Sequence, residues 1–229
     1  MLNFLTGVEI LEEVESRVNG SLRVAKDFAW GAYVQSKTKT GWLTQSGGVV
    51  YEVWRSTLRK IRSPSVPSSG SRDTKSEIRN CLILGLGGGS AAKIVRKFWP
   101  KAKITGVEID PIMVELGTRH LGLGNDNVEV VISDALDFIL NHKFYILNHF
   151  DLILVDLYVG DKVPEKFESE DFFKRLKKLV NKDGIVVFNR LYYAEKRPES
   201  VKFGKKLENI FSKVDVVYPE ANIMFVCKN

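Results

Sequence analysis

The chain has 229 residues, 44% of them hydrophobic and 27% charged, which excludes wholesale disorder and leaves room for one domain plus a small appendage. No window reaches the roughly 18 consecutive apolar residues of a membrane span, and the opening MLNFLTGVEILEEVESR lacks a basic stretch before its apolar run, so neither an integral membrane protein nor a secretory leader is expected. The net charge of +6 is carried largely by stretches such as DFFKRLKKLVNKDG and VKFGKKLENIFSKV. Their lysines read as the wet face of helices; nucleic acid is possible but not favoured, because the basic residues do not interleave with aromatics.

In chain order, VEILEEVESRV, Asn19-Gly20 and SLRVAKDFAW form a hairpin signal with a type I′ turn expected at Asn-Gly. GAYVQS and GWLTQSG extend it into a small antiparallel sheet. Val50, Val53, Trp54, Leu58 and Ile61 then recur at helical spacing. Residues 63–79, rich in Ser, Pro and Gly, read as a linker or mobile loop.

From Asn80 the pattern alternates. Apolar strands at 81–86, 103–109, 128–133, 150–156 and 184–189 are separated by helical stretches near 90–98, 111–120, 134–142 and 169–180. Near-continuous apolar strands alternating with helices imply a parallel sheet covered on both faces. VDVVYP and NIMFVCK read as a closing antiparallel pair. The expected organisation is an N-terminal β-hairpin unit plus helix over 1–62, the linker, and a doubly wound α/β domain over 80–229. Cys81 and Cys227 lie far apart in apolar runs, as reduced core thiols of a cytoplasmic protein would. His120, His142 and His149 lack ligand spacing, so no metal is expected.

In such a sheet, ligands bind beyond the carboxyl ends of the strands. The first parallel strand ends in Gly85-Leu86-Gly87-Gly88-Gly89-Ser90 and leads directly into a helix. Glycines let the backbone approach a ligand, and a helix start offers free N–H groups and a positive dipole end. The second strand ends in Glu108-Ile109-Asp110. Glu108 is placed to accept the two hydroxyls of a ribose, while Asp110-Pro111 is a helix-start signal. Asp134 either accepts from an adenine amino group or caps the following helix. Asp156, at the fourth strand end, points into the same crevice, where a carboxylate orients an amine or takes its proton.

Glycine loop, GVEID, SDA and VDLY, each at a strand end and in this order, resemble the class I methyltransferase-fold enzymes that bind S-adenosylmethionine. More narrowly, LILGLGGGS, GVEIDP, VISDALDFI and FDLILVDLYVGDKVPEKFESEDFF, with Thr44-Gln45 in the N-terminal unit, are similar to the polyamine aminopropyltransferase (spermidine synthase) family. The resemblance implies a Rossmann-like methyltransferase sheet preceded by a small antiparallel β unit. It also implies that Gly85, Gly87 and Gly89 line the methionine part of the cofactor, Glu108 the ribose and Asp134 with Ala135 the adenine, with Gln45 reaching the pocket; the expected cofactor site adds Gly88, Ile109 and Asp156. As the catalytic residues, Asp156 is expected to orient or deprotonate the nucleophile and Tyr158 to shape the acceptor site, and a homo-oligomer, a dimer, is the expected assembly.

The departures from the family discriminate. Aminopropyltransferases carry an aspartate where this chain has Gly88, and their D-S-S-D-P loop reads Asp156-Leu157-Tyr158-Val159 here. Decarboxylated S-adenosylmethionine calls for an acid near its free ammonium; the intact cofactor keeps a carboxylate that a bare helix N-terminus favours. A polyamine also calls for several carboxylates. The expectation is therefore an S-adenosylmethionine-dependent methyltransferase with a small-molecule acceptor. The runner-up is an aminopropyltransferase using the decarboxylated cofactor, with Glu52 or Asp161 replacing missing acids. A dinucleotide-dependent oxidoreductase and a non-catalytic cofactor-binding module are the alternatives of another class.

Overall fold

In the computed structural model, residues 7–62, 77–141 and 149–229 are described. Most of the expected linker (63–76) and the last residue of the expected 134–142 helix lie outside them.

Four strands, β1 (Glu9–Ser16), β2 (Gly20–Asp27), β3 (Gly31–Thr38) and β4 (Gly41–Gly47), form an antiparallel meander. The first hairpin differs from the expected one. Ser16 pairs with Gly20, so its loop is residues 17–19, and Gly20 alone takes the left-handed conformation at φ 65°. The turn is thus one residue longer than a two-residue type I′ turn, because Asn19 keeps a negative φ. Leu22, Val24 and Val34 form one apolar face, which packs on Met113 and Leu116.

Helix α1 (Gly48–Arg62) follows β4 directly and ends in Arg59, Lys60 and Arg62, cations that complement its last carbonyls. Its buried face, Val53, Trp54 and Leu58, joins the core beneath Cys81, Ile83, Ile94 and Leu154. The N-terminal unit therefore shares core with the larger sheet.

That sheet has seven strands: β5 (Asn80–Leu84), β6 (Lys103–Glu108), β7 (Val128–Ile132), β8 (Phe150–Val155), β9 (Val180–Leu191), β10 (Lys213–Val217) and β11 (Asn222–Lys228). Their order is β10-β11-β9-β8-β5-β6-β7, with β11 antiparallel to both neighbours and the pairs from β9 to β7 parallel. Order reverses on either side of β5, which places the ligand crevice at its carboxyl end. β9 begins earlier than the expected 184, but Phe150 pairs with Val180 and Leu152 with Ile185. The NKDG segment is thus a bulge within the strand.

Helices cover both faces: α2 (Ser90–Phe98) with α1 on one, α4 (Ala135–Leu140), α5 (Glu170–Leu179) and α6 (Lys196–Glu208) on the other. α5 shows the sequence logic compactly. Ser169 caps it by accepting from the Phe172 N–H, acids occupy its first turn, and Lys177 and Lys178 its last. Its apolar side includes Phe173, whose ring meets Phe188 and Phe203 edge-on at 5.5 and 5.4 Å. The stretch at 201–214 is helical only through Glu208; Lys213 opens β10. α3 (Pro111–Leu116) continues as a π-helical turn over Gly117–Leu121. Cys81 and Cys227 are free and buried, and burial pushes both thiols well above their usual range. Among the described residues no helix is long and apolar enough to cross a membrane, and no cluster of His, Cys, Asp and Glu suits a metal.

Candidate active site

The carboxyl ends of β5, β6, β8 and β9 open onto one cleft. At its floor the Gly85 and Leu86 N–H groups both donate to the Val107 carbonyl, at 2.9 and 3.0 Å, turning the chain away from the sheet. Gly85 has φ 84°, and a Cβ there would lie 2.1 Å from the Asp156 carbonyl oxygen, so this position demands glycine. Gly85 and Gly87 line the cleft. Gly88 and Gly89 line an adjoining cavity of about 390 Å³ behind the loop, with Trp30, Glu52, Lys93 and His120, and Ser90 borders both spaces. A Cβ on Gly88 would meet Leu121 Cδ1 at 2.7 Å and the Ser46 Oγ at 3.0 Å. Ser46 Oγ is 2.9 Å from Ser90 Oγ, and both serines also border the cleft. Neutral hydroxyls thus occupy the start of α2.

Glu108 is buried at the tip of β6. One oxygen accepts from Gly87 N–H at 2.7 Å; the other accepts from Ile109 and Asp110 N–H at 2.9 and 3.0 Å. Burial pushes its carboxyl upward, opposed by these three donors. Since a carboxylate offers about four acceptor positions, capacity remains for a ligand hydroxyl. Ile109 beside it is exposed, an apolar surface at the cleft wall. Asp110 is the N-cap of α3, accepting from Ile112 N–H at 3.0 Å, and also accepts from Ser16 Oγ and from Asn19 Nδ2 at 2.6 Å. It couples the first hairpin to the sheet.

Asp134 takes the capping alternative: Oδ1 accepts from Leu136 N–H at 2.8 Å, and Oδ2 pairs with Lys166 Nζ. Both of its oxygens accept bonds, as the capping alternative requires, and with about four acceptor positions on a carboxylate, capacity remains for a ligand amino group. Burial pushes its carboxyl up, but Lys166 and the cap donors outweigh this and hold it below the usual range. Asp134 and Ala135 still line a cavity of about 290 Å³ with Glu108, Ile109, Pro164 and Phe167.

Asp156 is where the parts of the cleft meet. It and Tyr158 line that cavity, a narrow middle space beside Gly85 and Gly87, and an outer cavity of about 350 Å³ walled by Trp42, Val49, Val53, Tyr193, Glu220 and Asn222. Asp156 accepts from Trp54 Nε1 at 2.9 Å and Asn189 Nδ2 at 2.8 Å; Asn189 Oδ1 in turn accepts from Asn222 Nδ2 at 2.8 Å. Burial pushes the Asp156 carboxyl up, against those two donors. Trp54, Asn189 and Asn222 escaped the sequence reading; the only available signal was an asparagine ending the apolar run GIVVFN. Tyr158 OH accepts from Leu191 N–H at 2.8 Å and faces the Asn189 carbonyl at 3.4 Å. Its hydroxyl anchors the loop to β9, and its ring is what lines the cleft. Burial raises that phenol further, so proton transfer by Tyr158 is disfavoured.

Gln45 reaches the cleft through a bulge. Val34 pairs with Ser46 and Gln35 with Thr44, leaving Gln45 as the extra residue, and its Nε2 donates to Ser36 Oγ at 2.8 Å and the Gly160 carbonyl at 3.1 Å. The substitutes expected for missing acids are elsewhere: Glu52 pairs with Arg55 and faces the cavity behind the loop, and Asp161 pairs with Lys196 at 3.3 Å. Among the described residues, only Asp156 and Glu220 supply carboxylates to the outer cavity.

Comparison with known proteins fits this geometry. The Spermine/spermidine synthase domain model matches residues 70–223. The chain is 30% identical to the mouse (Mus musculus) eEF1A lysine and N-terminal methyltransferase over 154 residues, 64% of this chain and 22% of that protein. It is 30% identical to a Vibrio vulnificus polyamine aminopropyltransferase over 109 residues, 47% of this chain and 36% of that one. The matched region therefore spans about a fifth to a third of these curated relatives. Among solved structures, human Methyltransferase-like protein 13 in complex with SAH superposes with TM-score 0.58 at 26% identity, covering 66% of this chain and 71% of that one. Spermidine synthase from Thermotoga maritima shares the fold at TM-score 0.69 and 15% identity, over 95% of this chain and 72% of that one. These similarities are to two kinds of group transferase on one fold, and the chain belongs to the spermine/spermidine synthase domain family.

Proposed function

We propose that the chain is an S-adenosylmethionine-dependent methyltransferase. The observation that carries this reading is the start of α2, where Gly88 stands in place of the aspartate of aminopropyltransferases and the Ser46 and Ser90 hydroxyls border the cleft, while the carboxylate nearest Gly88 in the adjoining cavity, Glu52, is paired with Arg55. A cofactor carboxylate is stabilised there, whereas a free ammonium gains nothing. The cleft fits such a cofactor on its own terms: Gly85 and Gly87 leave backbone exposed for close approach, and Glu108 keeps acceptor capacity beside an apolar wall at Ile109 and Ala135. The names of the methyltransferase relative and of the SAH-bound neighbour agree with it.

When bound, the cofactor supplies a methyl group already activated by its sulfonium, so the chain's own task is positioning. Gln45, Gly85 and Gly87 hold the methionine part, Glu108 the ribose, and Ile109 and Ala135 flank the adenine. Asp156, fixed in plane by Trp54 and Asn189, accepts the acceptor's N–H at one oxygen and turns its lone pair toward the methyl. Its upward-shifted carboxyl is suited to take the proton released. The Tyr158 ring and Val53 exclude water from the outer cavity. Changing Asp156→Asn puts an NH2 group against Trp54 or Asn189, both donors. Turnover is expected to fall at least about 100-fold while calorimetric cofactor binding persists. Unchanged turnover removes Asp156 from the mechanism.

A further inference from the structure

Among the described residues, β4 ends its sheet: it pairs with β3 and with no other strand. Alternate residues of such a strand direct N–H and C=O groups away from the partner, into a free edge able to pair with another extended chain. This edge does not face open solvent alone. Trp42, Leu43, Thr44 and Gln45 line the outer cavity together with Tyr193, Glu220, Asn222 and Asp156, whose carboxyl is buried. The Trp42 ring also lies under two cations, with the Arg23 guanidinium 4.2 Å and the Lys37 ammonium 5.2 Å from its centre. Lys39 is exposed in the adjoining turn. Among the described residues Arg23, Lys37 and Lys39 have no ion-pair partner.

Resting on the methyltransferase reading, we propose that the acceptor is an extended, acidic polypeptide segment that adds as a strand to the free edge of β4 and sends one amine-bearing side chain inward to Asp156. Strand addition supplies main-chain hydrogen bonds, and alternate side chains then point to opposite sides, one into the cavity. The cations around Trp42 complement acidic residues of the segment. The apolar walls at Val49 and Val53 suit the methylene stem of a lysine, whose single ammonium or amine is matched by the single deep carboxylate. A small polyamine would leave the β4 edge and its cations without a role. An RNA could use the cations but not the edge.

The test uses the full chain, radiolabelled S-adenosylmethionine and four probes: a short acidic peptide with one central lysine, its basic counterpart, putrescine and a single-stranded RNA. The acidic peptide is expected to be methylated at least about tenfold more efficiently than the others and to protect β4 amides from hydrogen exchange. N-methylating one alternate set of its backbone amides should abolish both effects, and N-methylating the other set should not. The Arg23→Glu/Lys37→Glu pair, with Arg23→Gln/Lys37→Gln as a milder version, should lower peptide use about tenfold without changing cofactor affinity. Equal use of putrescine, preference for RNA, or indifference to both N-methylation patterns overturns the proposal. Failure of the unaltered chain to bind S-adenosylmethionine instead overturns the methyltransferase reading, and β4 protection by the peptide is measured independently of it.

Discussion

Gly88→Asp restores the acid that aminopropyltransferases carry and tests the charge argument directly. The added Cβ would meet Leu121 Cδ1 at 2.7 Å and Ser46 at 3.0–3.1 Å. Leu121 Cδ1 is the tip of a flexible side chain, so the steric cost is about 1 kcal/mol. The new carboxylate would stand beside the hydroxyls of Ser46 and Ser90, where the cofactor's own carboxylate is proposed to bind. Two unit charges ~5 Å apart repel by roughly 3 kcal/mol at an effective dielectric of about 20. Solvent in an open cleft reduces that to about 1–2 kcal/mol, a roughly 5- to 30-fold loss of affinity. Gly88→Asn carries the same bulk without charge and isolates the electrostatic part. Calorimetric titration of the unaltered chain and both variants with intact and decarboxylated S-adenosylmethionine should show the aspartate weakening only the intact cofactor and strengthening the decarboxylated one. Equal affinity of the Gly88→Asp and Gly88→Asn variants for the intact form would refute the reasoning.

Gly85→Ala combines the left-handed penalty of about 1–2 kcal/mol with overpacking of about 1–3 kcal/mol against the Asp156 carbonyl, a loss of roughly 2–5 kcal/mol. Urea midpoints should place it far below Gly88→Ala, whose φ is ordinary; similar midpoints would contradict the geometry. The Asp134 carboxyl is held low in the fold, so its contribution is complete above the unfolded aspartate range near ~4 and is lost on acidification through the lower folded value. Lys166→Met should therefore cost about 0.5–1 kcal/mol at neutral pH, discounted because Lys166 is half exposed, and the difference should shrink near pH ~3. An equal deficit at both pH values would assign the loss to packing.

The strand ends were legible because each carries local punctuation. The glycine loop, Glu108 and Asp156 follow apolar runs, and the alternation that predicts β5 to β9 is a property of neighbouring residues. What escaped is long-range. Trp54 lies on a helix whose spacing announces only a buried face, yet its indole reaches Asp156 across 102 positions. Asn189 and Asn222 meet only because β11 inserts antiparallel beside β9. The cap at Asp134 was visible, but not Lys166 on its other oxygen, which no local pattern brings near. Gln45 enters the cleft through a bulge that composition does not announce.

The family match begins at residue 70, yet a carboxylate inside it is satisfied from outside it. Asp110, 1% exposed, relies on Ser16 and Asn19 of the first hairpin as well as on its own helix. The α/β unit is therefore not a freely transplantable module. Grafted behind a different N-terminal partner, it would carry a buried acid lacking two of its donors, a fault that costs several kcal/mol if left unpaired. Fusion and shuffling of this unit consequently favour two routes: inheriting the hairpin together with the sheet, or replacing the aspartate at 110 by a cap without a second allegiance.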